Sequence, residues 1–407
     1  MLLLQANVLL GCQTTSNISG KNISQLYRSD ARSNGIRIDY KLVHGQNEKS
    51  KLKFNLDLAD LVESDGVNSF TVRYRLYQNY SSSLPIDSGF QVFKDLNRGQ
   101  GFEGEIEIGI PVGRNHMLEV DLIDLFSKKR NRRYIDVINP EQFSEQSYEL
   151  RNEIGELIYD HQVQKADSYN IAVAALSKGV FVRFYDRNFP VASPPFSAVN
   201  NKPFDFTPDK LIELNQDATG SFKLYVTQIG IYQITSDTTS RNGGSVCYFG
   251  QHYPKAKTLK DLLLPLRYIT TSPEYLALKK EDNLKKGIDN YWLKVGGRPE
   301  RAKMLIETYY SRVEEANIMF GSYLEGWKTD RGMCLIVFGP PTKVLRSTAS
   351  ETWLYGEEGE YNTLKLSFTK VQNPFTTNDF RLNRNASLKS PWYRAVEFWR
   401  QGRIITY

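Results

Sequence analysis

Glu325 and Asp330 flank a glycine-containing turn and are the carboxylates in this sequence best placed for paired acid–base work. The same turn, Gly321-Ser322-Tyr323-Leu324-Glu325-Gly326-Trp327-Lys328-Thr329, is one residue from a phosphate-binding loop, but Trp327 separates the glycine from the lysine. It also follows a helical pattern and precedes an apolar run that reads as a strand. That reverses the strand–loop–helix order that aims helix amides at a phosphate. No nucleophile elbow and no CxxC occur, and His44, His116, His161 and His252 are scattered. The sequence therefore implies no metal and no cofactor. Cys334 lies in an apolar run as a small hydrophobe. A Cys247–Cys334 disulfide suits an oxidising compartment without being dictated by spacing. Cys12 differs, because it closes an apolar run and is followed by the polar Gln13-Thr14-Thr15-Ser16-Asn17.

The elements around the turn follow from periodicity. Ala302, Leu305, Ile306, Tyr309, Val313, Ala316 and Phe320 fall on one face of a helix opened by Pro299. Gly326 suits that helix's C-terminal region, and Gly332 a turn before a buried strand, Met333–Phe338. The heptapeptide reads as a helix-to-strand corner, with Trp327 packed beneath it. Thr329 and Asp330 would accept from loose backbone N–H groups, and Arg331 would pair with Asp330. Gly339-Pro340-Pro341 ends the strand, and the following segment to about Ser350 reads as a surface loop. Lys343 and Arg346 would make that loop a basic docking surface. Ser272-Pro273 opens a charged helix to about Lys286, followed by an apolar anchor at Tyr291-Trp292-Leu293. Strands at Glu351–Tyr355 and Leu364–Thr369 precede a last helix from Ser390-Pro391, carrying Trp392, Val396 and Trp399 and stopped by Gly402.

The run Gly326-Trp327-Lys328-Thr329-Asp330, continued by Arg331-Gly332, by a strand closing on Gly339-x-Pro341 and by Trp353-Leu354-Tyr355, resembles the signature of the GWxTD-domain proteins of the bacterial envelope. The resemblance covers about residues 255–407. It implies an α+β domain and an envelope location, and it brings no reaction with it. Leu9-Leu10-Gly11-Cys12 resembles the lipobox of bacterial lipoproteins. In those proteins the signal is cut before the cysteine, whose sulfur takes diacylglycerol and whose new amine is acylated. Each buried CH₂ of such chains adds about 0.8 kcal/mol, so several chains anchor stably. No Lys or Arg precedes Cys12, which a start codon set too far downstream explains. Gln13, with no acidic cluster after it, implies by the same resemblance the outer membrane, periplasmic face.

Elsewhere the chain reads as β structure. Its 24 Tyr and 21 Phe against 5 Met suit half-buried strands. Alternating runs at 51–56, 70–77, 104–110, 117–126 and 134–138 imply a sandwich over residues 35–140. A polar connection, 141–167, leads to a second β domain at 165–250. Its strands are placed at 169–174, 180–185, 221–226 and 229–235. Residues 1–12 read as the signal and 13–34 as a tether. The fold class expected is multidomain, with all-β sandwich-like domains followed by an α+β domain. Lys128-Lys129-Arg130-Asn131-Arg132-Arg133 could touch phosphate or anionic lipid as a patch, but at a hairpin tip without interleaved aromatics it reads as solvating a turn, and nucleic acid is not implied as a partner. No stretch approaches 18 apolar residues, so no helix is long enough to span a membrane. The net charge is +6, and 25 basic residues face 17 acidic ones from Lys255 onward, which favours anionic lipid or an acidic partner. Three function classes stand. One is a non-catalytic envelope lipoprotein, a scaffold or interaction module for an envelope protein partner in outer-membrane assembly or secretion. Another is a hydrolase using the carboxylates of the corner. The last is a carbohydrate-binding lipoprotein using exposed aromatics; Phe181, Tyr185 and Tyr232 would stack on sugars if exposed, but alternation puts most such rings in a core.

Overall fold

Strict alternation of apolar and polar residues organises the N-terminal half into two sandwiches. The computed structural model describes residues 20–27, 37–57, 68–96, 101–173, 179–198, 204–357 and 363–405, so Cys12 and the signal segment lie outside the described residues. After a short strand β1 (Lys21–Asn22), the first sandwich is built from β2 (Arg37–His44), β3 (Lys49–Asp57), β4 (Asn68–Tyr77), β5 (Asp87–Leu96), β6 (Phe102–Gly109), β7 (His116–Asp124) and β8 (Arg130–Val137). Its sheets run β2-β3-β6 and β5-β4-β7-β8. Inward residues such as Leu52, Phe54, Phe70, Val72, Leu118 and Leu122 meet between them.

The second sandwich comprises β9 (Tyr148–Arg151), β10 (Gln162–Val163), β11 (Ser168–Val173), β12 (Val180–Tyr185), β13 (Lys210–Leu214), β14 (Phe222–Tyr225), β15 (Gly230–Thr235) and β16 (Gly244–Tyr248). Sheet β14-β11-β9 faces β10-β16-β15-β12-β13. The stretch expected to be a polar connection thus supplies β9 and β10. Gln146, also within it, stitches the sandwiches together: its side chain donates to the Asp136 carbonyl at 2.7 Å and accepts from Ile138 N–H at 2.9 Å.

The C-terminal part packs helices on one antiparallel sheet. The helices are α1 (Leu259–Leu263), α2 (Ser272–Lys279), α3 (Leu284–Gly296), α4 (Pro299–Phe320), α5 (Asp330–Phe338) and α6 (Lys389–Arg400). The strands are β17 (Lys343–Arg346), β18 (Ser350–Tyr355), β19 (Leu364–Lys370) and β20 (Phe380–Leu382), in the order β1-β17-β18-β19-β20. The expected class, all-β sandwiches followed by an α+β domain, is what the chain adopts. Several local expectations need correction. The charged helix breaks after Lys279, and its N-cap is Thr271, in a reciprocal capping box with Glu274. Tyr291-Trp292-Leu293 belongs to α3. Met333–Phe338 is helical: Thr329 caps it, and all nine residues of α5 are buried, so no polar face betrays its period. The supposed surface loop after Pro341 becomes β17, paired on both edges. Residues 20–27, read as part of a tether, are instead built into this domain. Lys21 and Asn22 pair with Arg346 and Leu345, and Ile23 and Tyr27 are 0% and 3% exposed in its core.

Asp136 of β8 joins the first sandwich to this domain. Its carboxylate accepts from Lys370 Nζ at 2.6 Å, from Arg346 at 3.3 Å and from the Tyr80 hydroxyl at 2.7 Å. Burial pushes its pKa up, but Arg346 and Lys370 overcome that and hold it at about 2 rather than 3.8. A depressed carboxyl stabilises the fold above its unfolded pKa and loses that contribution as pH falls through its folded one. The wild-type chain should therefore exceed Asp136→Asn in stability by about 2 kcal/mol at neutral pH. Denaturant titrations should show that gap intact above about pH 4 and closing as pH approaches 2.

Candidate functional site

The motif begins where the chain is pressed against a helix. A Cβ on Gly326 would come 1.9 Å from the Ala316 carbonyl oxygen of α4, and one on Gly332 would come 1.9 Å from the Gly326 carbonyl oxygen. Both positions exclude side chains, which lets a 3-10 turn, Gly326–Lys328, lie on α4 and lead into α5. Asn317 holds that turn, accepting from Trp327 N–H at 3.0 Å while its amide donates to the Pro254 carbonyl at 2.8 Å. Trp327 is 6% exposed, and its carbonyl accepts from the Tyr268 hydroxyl at 2.9 Å. Thr329 is the N-cap of α5: its hydroxyl accepts from Gly332 N–H at 2.9 Å and donates to the Gly326 carbonyl at 2.7 Å. At the far end Gly339 takes φ +85°, and a Cβ there would strike the Arg312 guanidinium at 2.7 Å. Arg312 donates to the Ile336 carbonyl at 3.2 Å, a cation at the C-terminus of α5, and burial lowers its pKa to about 10. Pro341 is buried just beyond.

Asp330 and Arg331, expected to pair with each other, take separate partners. Asp330 accepts from both terminal nitrogens of Arg384, at 2.9 and 2.5 Å, and from Leu382 N–H at 2.8 Å. Arg384 then donates to the Ser193 carbonyl at 3.0 Å, and Ala192 N–H donates to the Lys328 carbonyl at 2.9 Å. The loop between β12 and β13 is thereby fastened across the motif. Arg331 is 2% exposed and lies between the rings of Phe320 and Phe380, 4.7 and 4.3 Å from their centroids. It donates to the Asn378 carbonyl at 2.8 Å and to Glu351 at 3.4 Å. Glu351 is 0% exposed and also accepts from Trp353 Nε1 at 2.7 Å and from the Tyr27 hydroxyl, with Arg346 Nε 3.9 Å away. Burial and the Glu351 charge raise the Tyr27 pKa well above its usual value.

The residues singled out in sequence thus divide. Gly326, Trp327, Thr329, Asp330, Arg331 and Gly332 form one assembly; Gly339 and Pro341 mark the other end of α5. Arg346 is 14% exposed and ion-paired, so it is no part of a free docking loop, and Lys343 lies in the same strand. Glu325 and Asp330 take different partners, the Glu325 carboxylate lying 2.6 Å from Lys328 Nζ. Cys247 and Cys334 are free, buried thiols. Of the aromatics, Tyr185 and Tyr232 are 2% and 3% exposed. Sequence reasoning missed Glu351, although it shares strand parity with Trp353 and Tyr355 and so had to face the core. For Asn317, Asn378 and Arg384 no signal existed. Among the described residues, no group of three or more His, Cys, Asp or Glu side chains is arranged to hold a metal ion.

A cleft of about 400 Å³ opens beside the motif, where the second sandwich meets the helical domain. Phe204, Phe206, Tyr323 and Phe375 form its apolar wall, and Arg241 and Arg381 its cationic rim. Arg241 stacks on Phe206 at 4.6 Å. Nearby, burial raises the Asp379 carboxyl; it accepts from Asn373 at 3.1 Å and lies 3.7 Å from Arg381.

Residues 230–401 match the family model described as the GWxTD domain, which begins in β15 rather than at 255. No curated protein matches the chain. A solved structure, the crystal structure of calcium binding domain CBD12 of CALX1.1, overlaps 49% of this chain and 80% of its own at 11% identity. Its TM-score of 0.18 is too low to bear on fold or function.

Breaking a buried ion pair from one side leaves a stranded charge and typically costs about 3–5 kcal/mol. Arg331→Met in the full chain should destabilise by about that amount. Adding Glu351→Gln should recover part of the loss, because the stranded carboxylate is then gone. A double variant as damaged as the sum of the two singles, by urea unfolding, would show that the two side chains are not coupled.

Proposed function

Taking as premise that residues 230–401 are a GWxTD domain, we propose that this chain is a non-catalytic, lipid-anchored scaffold of the bacterial envelope. The observation that carries the reading is the commitment of the motif's own polar groups. Asp330 is taken by Arg384 and Leu382 N–H, Arg331 by Glu351 and Asn378, and Thr329 by Gly332 N–H. The bonds of Asp330 and Arg331 fix distant parts of the chain against one another and that of Thr329 starts α5, which is what a scaffold needs and a hydrolytic pair of carboxylates does not. The lipobox-like Leu9-Leu10-Gly11-Cys12 supports acylation at Cys12, and Gln13 supports the outer membrane, periplasmic face, as its place. No described helix is long and apolar enough to cross a membrane, so acyl chains would supply the anchor. An envelope protein is the partner this reading calls for, in outer-membrane assembly or secretion.

Saccharide binding is a second reading, favoured by the aromatic cleft. Sugar faces stack on rings such as Phe206 and Phe204, while Arg241 and Arg381 offer donors to hydroxyl or carboxylate groups. Calorimetric titration with soluble envelope glycans tests it. Binding that Phe206→Ala abolishes would establish the second reading, and no heat with any glycan would end it.

For the principal reading, Cys12→Ser in a chain expressed with its authentic start should move the protein from the membrane to the soluble fraction. Equal membrane retention of the variant would remove the anchor. Digestion of the wild-type protein by external protease on intact cells would reverse the facing.

A further inference from the structure

The outer face of the four-stranded sheet in the first sandwich carries more arginine than its own acids neutralise. Strand register sets the pattern. Phe90, Arg73, Asp121 and Arg132 lie in one row across β5, β4, β7 and β8, with Val92, Thr71, Ile123 and Arg130 in the adjoining row. Paired residues share a face, and the alternate residues fill the core. Asp121, 1% exposed, accepts from Arg73 at 2.9 Å, from Arg75 at 3.3 Å and from Arg130 and Arg132 at 2.7 Å each. Glu119, 3% exposed, takes Arg75 at 2.6 Å and Arg132 at 3.4 Å.

Four guanidinium groups over two carboxylates leave two positive charges in excess. The acids lie beneath, and the arginine side chains, 23–38% exposed, are what solvent meets. Arg73 Nε has no partner. Lys128 and Lys129, both exposed, extend the charge into the β7–β8 turn. Large apolar side chains stand among these cations. Phe90 is 70% exposed and Val92 38%, on the same face and on an edge strand; Phe126, at the turn, is 69% exposed. A face built only for solvation would carry charges at those edge positions instead.

We propose that this face seats on an anionic bilayer, with lipid phosphates completing the neutralisation of the arginines and Phe90 and Phe126 entering the interfacial layer. Charge complementarity selects the occupant, and reach agrees with it. Lys21 lies over the ring of Tyr77, 4.2 Å from its centroid, so the N-terminal side of the chain arrives at this same face of β4. Tyr77 is about 14 Å along β4 from Arg73. Cys12 precedes Gly20 by eight residues, a span of at most about 28 Å. An acyl group there would hold the Tyr77 end of this face within about 28 Å of the membrane, and Arg73 within about 14 Å more. This reach argument rests on the anchor reading above; the charge argument does not.

The test uses the purified full chain with Cys12→Ser, so that no acyl group contributes, sedimented with vesicles of phosphatidylcholine alone or with added phosphatidylglycerol. Binding should require phosphatidylglycerol. It should fall about tenfold or more from about 0.1 M to about 1 M salt, as the screening length shrinks from about 10 to about 3 Å. Phe90→Ser with Phe126→Ser, or Lys128→Glu with Lys129→Glu, should each reduce it several-fold at unchanged melting temperature. Binding equal on neutral vesicles, binding that ignores both variants, or no binding at all overturns the proposal. Self-association in solution that Phe90→Ser abolishes would reassign the face to a second copy. The cell fractionation above judges the anchor separately: the face can fail here while Cys12 remains lipidated, and the reverse.

Discussion

The Glu351 carboxylate is sealed from water, and the C-terminal domain is arranged to give it partners on every side. Arg331 reaches it from α5, Arg346 approaches from β17, Trp353 donates from its own strand and Tyr27 donates from the N-terminal segment. Through Arg346 the chain of contacts continues to Asp136 in the first sandwich. Through Asn378, whose amide donates to the Met319 carbonyl at 3.2 Å, it reaches the end of α4. Buried ion pairs contribute little net stability when formed but are costly to break. Such a network therefore selects one arrangement of these segments over near alternatives more than it deepens the fold.

That constraint explains why the motif couples two glycines to a capping threonine and adjacent ions of opposite sign. The glycines bring the 3-10 turn onto α4, and Thr329 starts α5 at once. Asp330 and Arg331 then leave the first turn of α5 in different directions. Asp330 meets Arg384 beside the β12–β13 loop, and Arg331 meets Glu351 under the sheet. Two adjacent residues thus fix the domain against both the second sandwich and its own central strands. An α+β fold needs no such motif merely to bury Trp327.

The sandwiches were legible because half-buried strands alternate, and residues such as Leu52, Phe54 and Leu56 print that period directly. So were α4, with its apolar stripe, and α6, stopped by Gly402 at φ +66°. Helix α5 was not, because a helix buried all round loses its polar face and leaves Cys334-Leu335-Ile336-Val337-Phe338 looking like a strand. The same loss of contrast hid β17, whose Arg346 looks solvent-seeking until Asp136 and Glu351 are brought up from elsewhere in the chain. The motif residues themselves were found in the sequence. Their partners were not, since Arg384 and Asn378 follow no periodicity, and Asp136 lies 210 residues from the arginine it meets. Glu351 alone among them was readable, as a charge on the inward parity of an apolar strand.

Strand β1 gives the molecule a mechanical shortcut. The first described segment is zipped into the last domain, with Tyr27 bonded to a residue 324 positions further on. Both sandwiches therefore hang as a closed loop between two points that already touch. Tension applied on the N-terminal side of Gly20 loads the β1–β17 pairing and the buried Tyr27 first. It passes into the C-terminal domain without stretching either sandwich until that seam gives way.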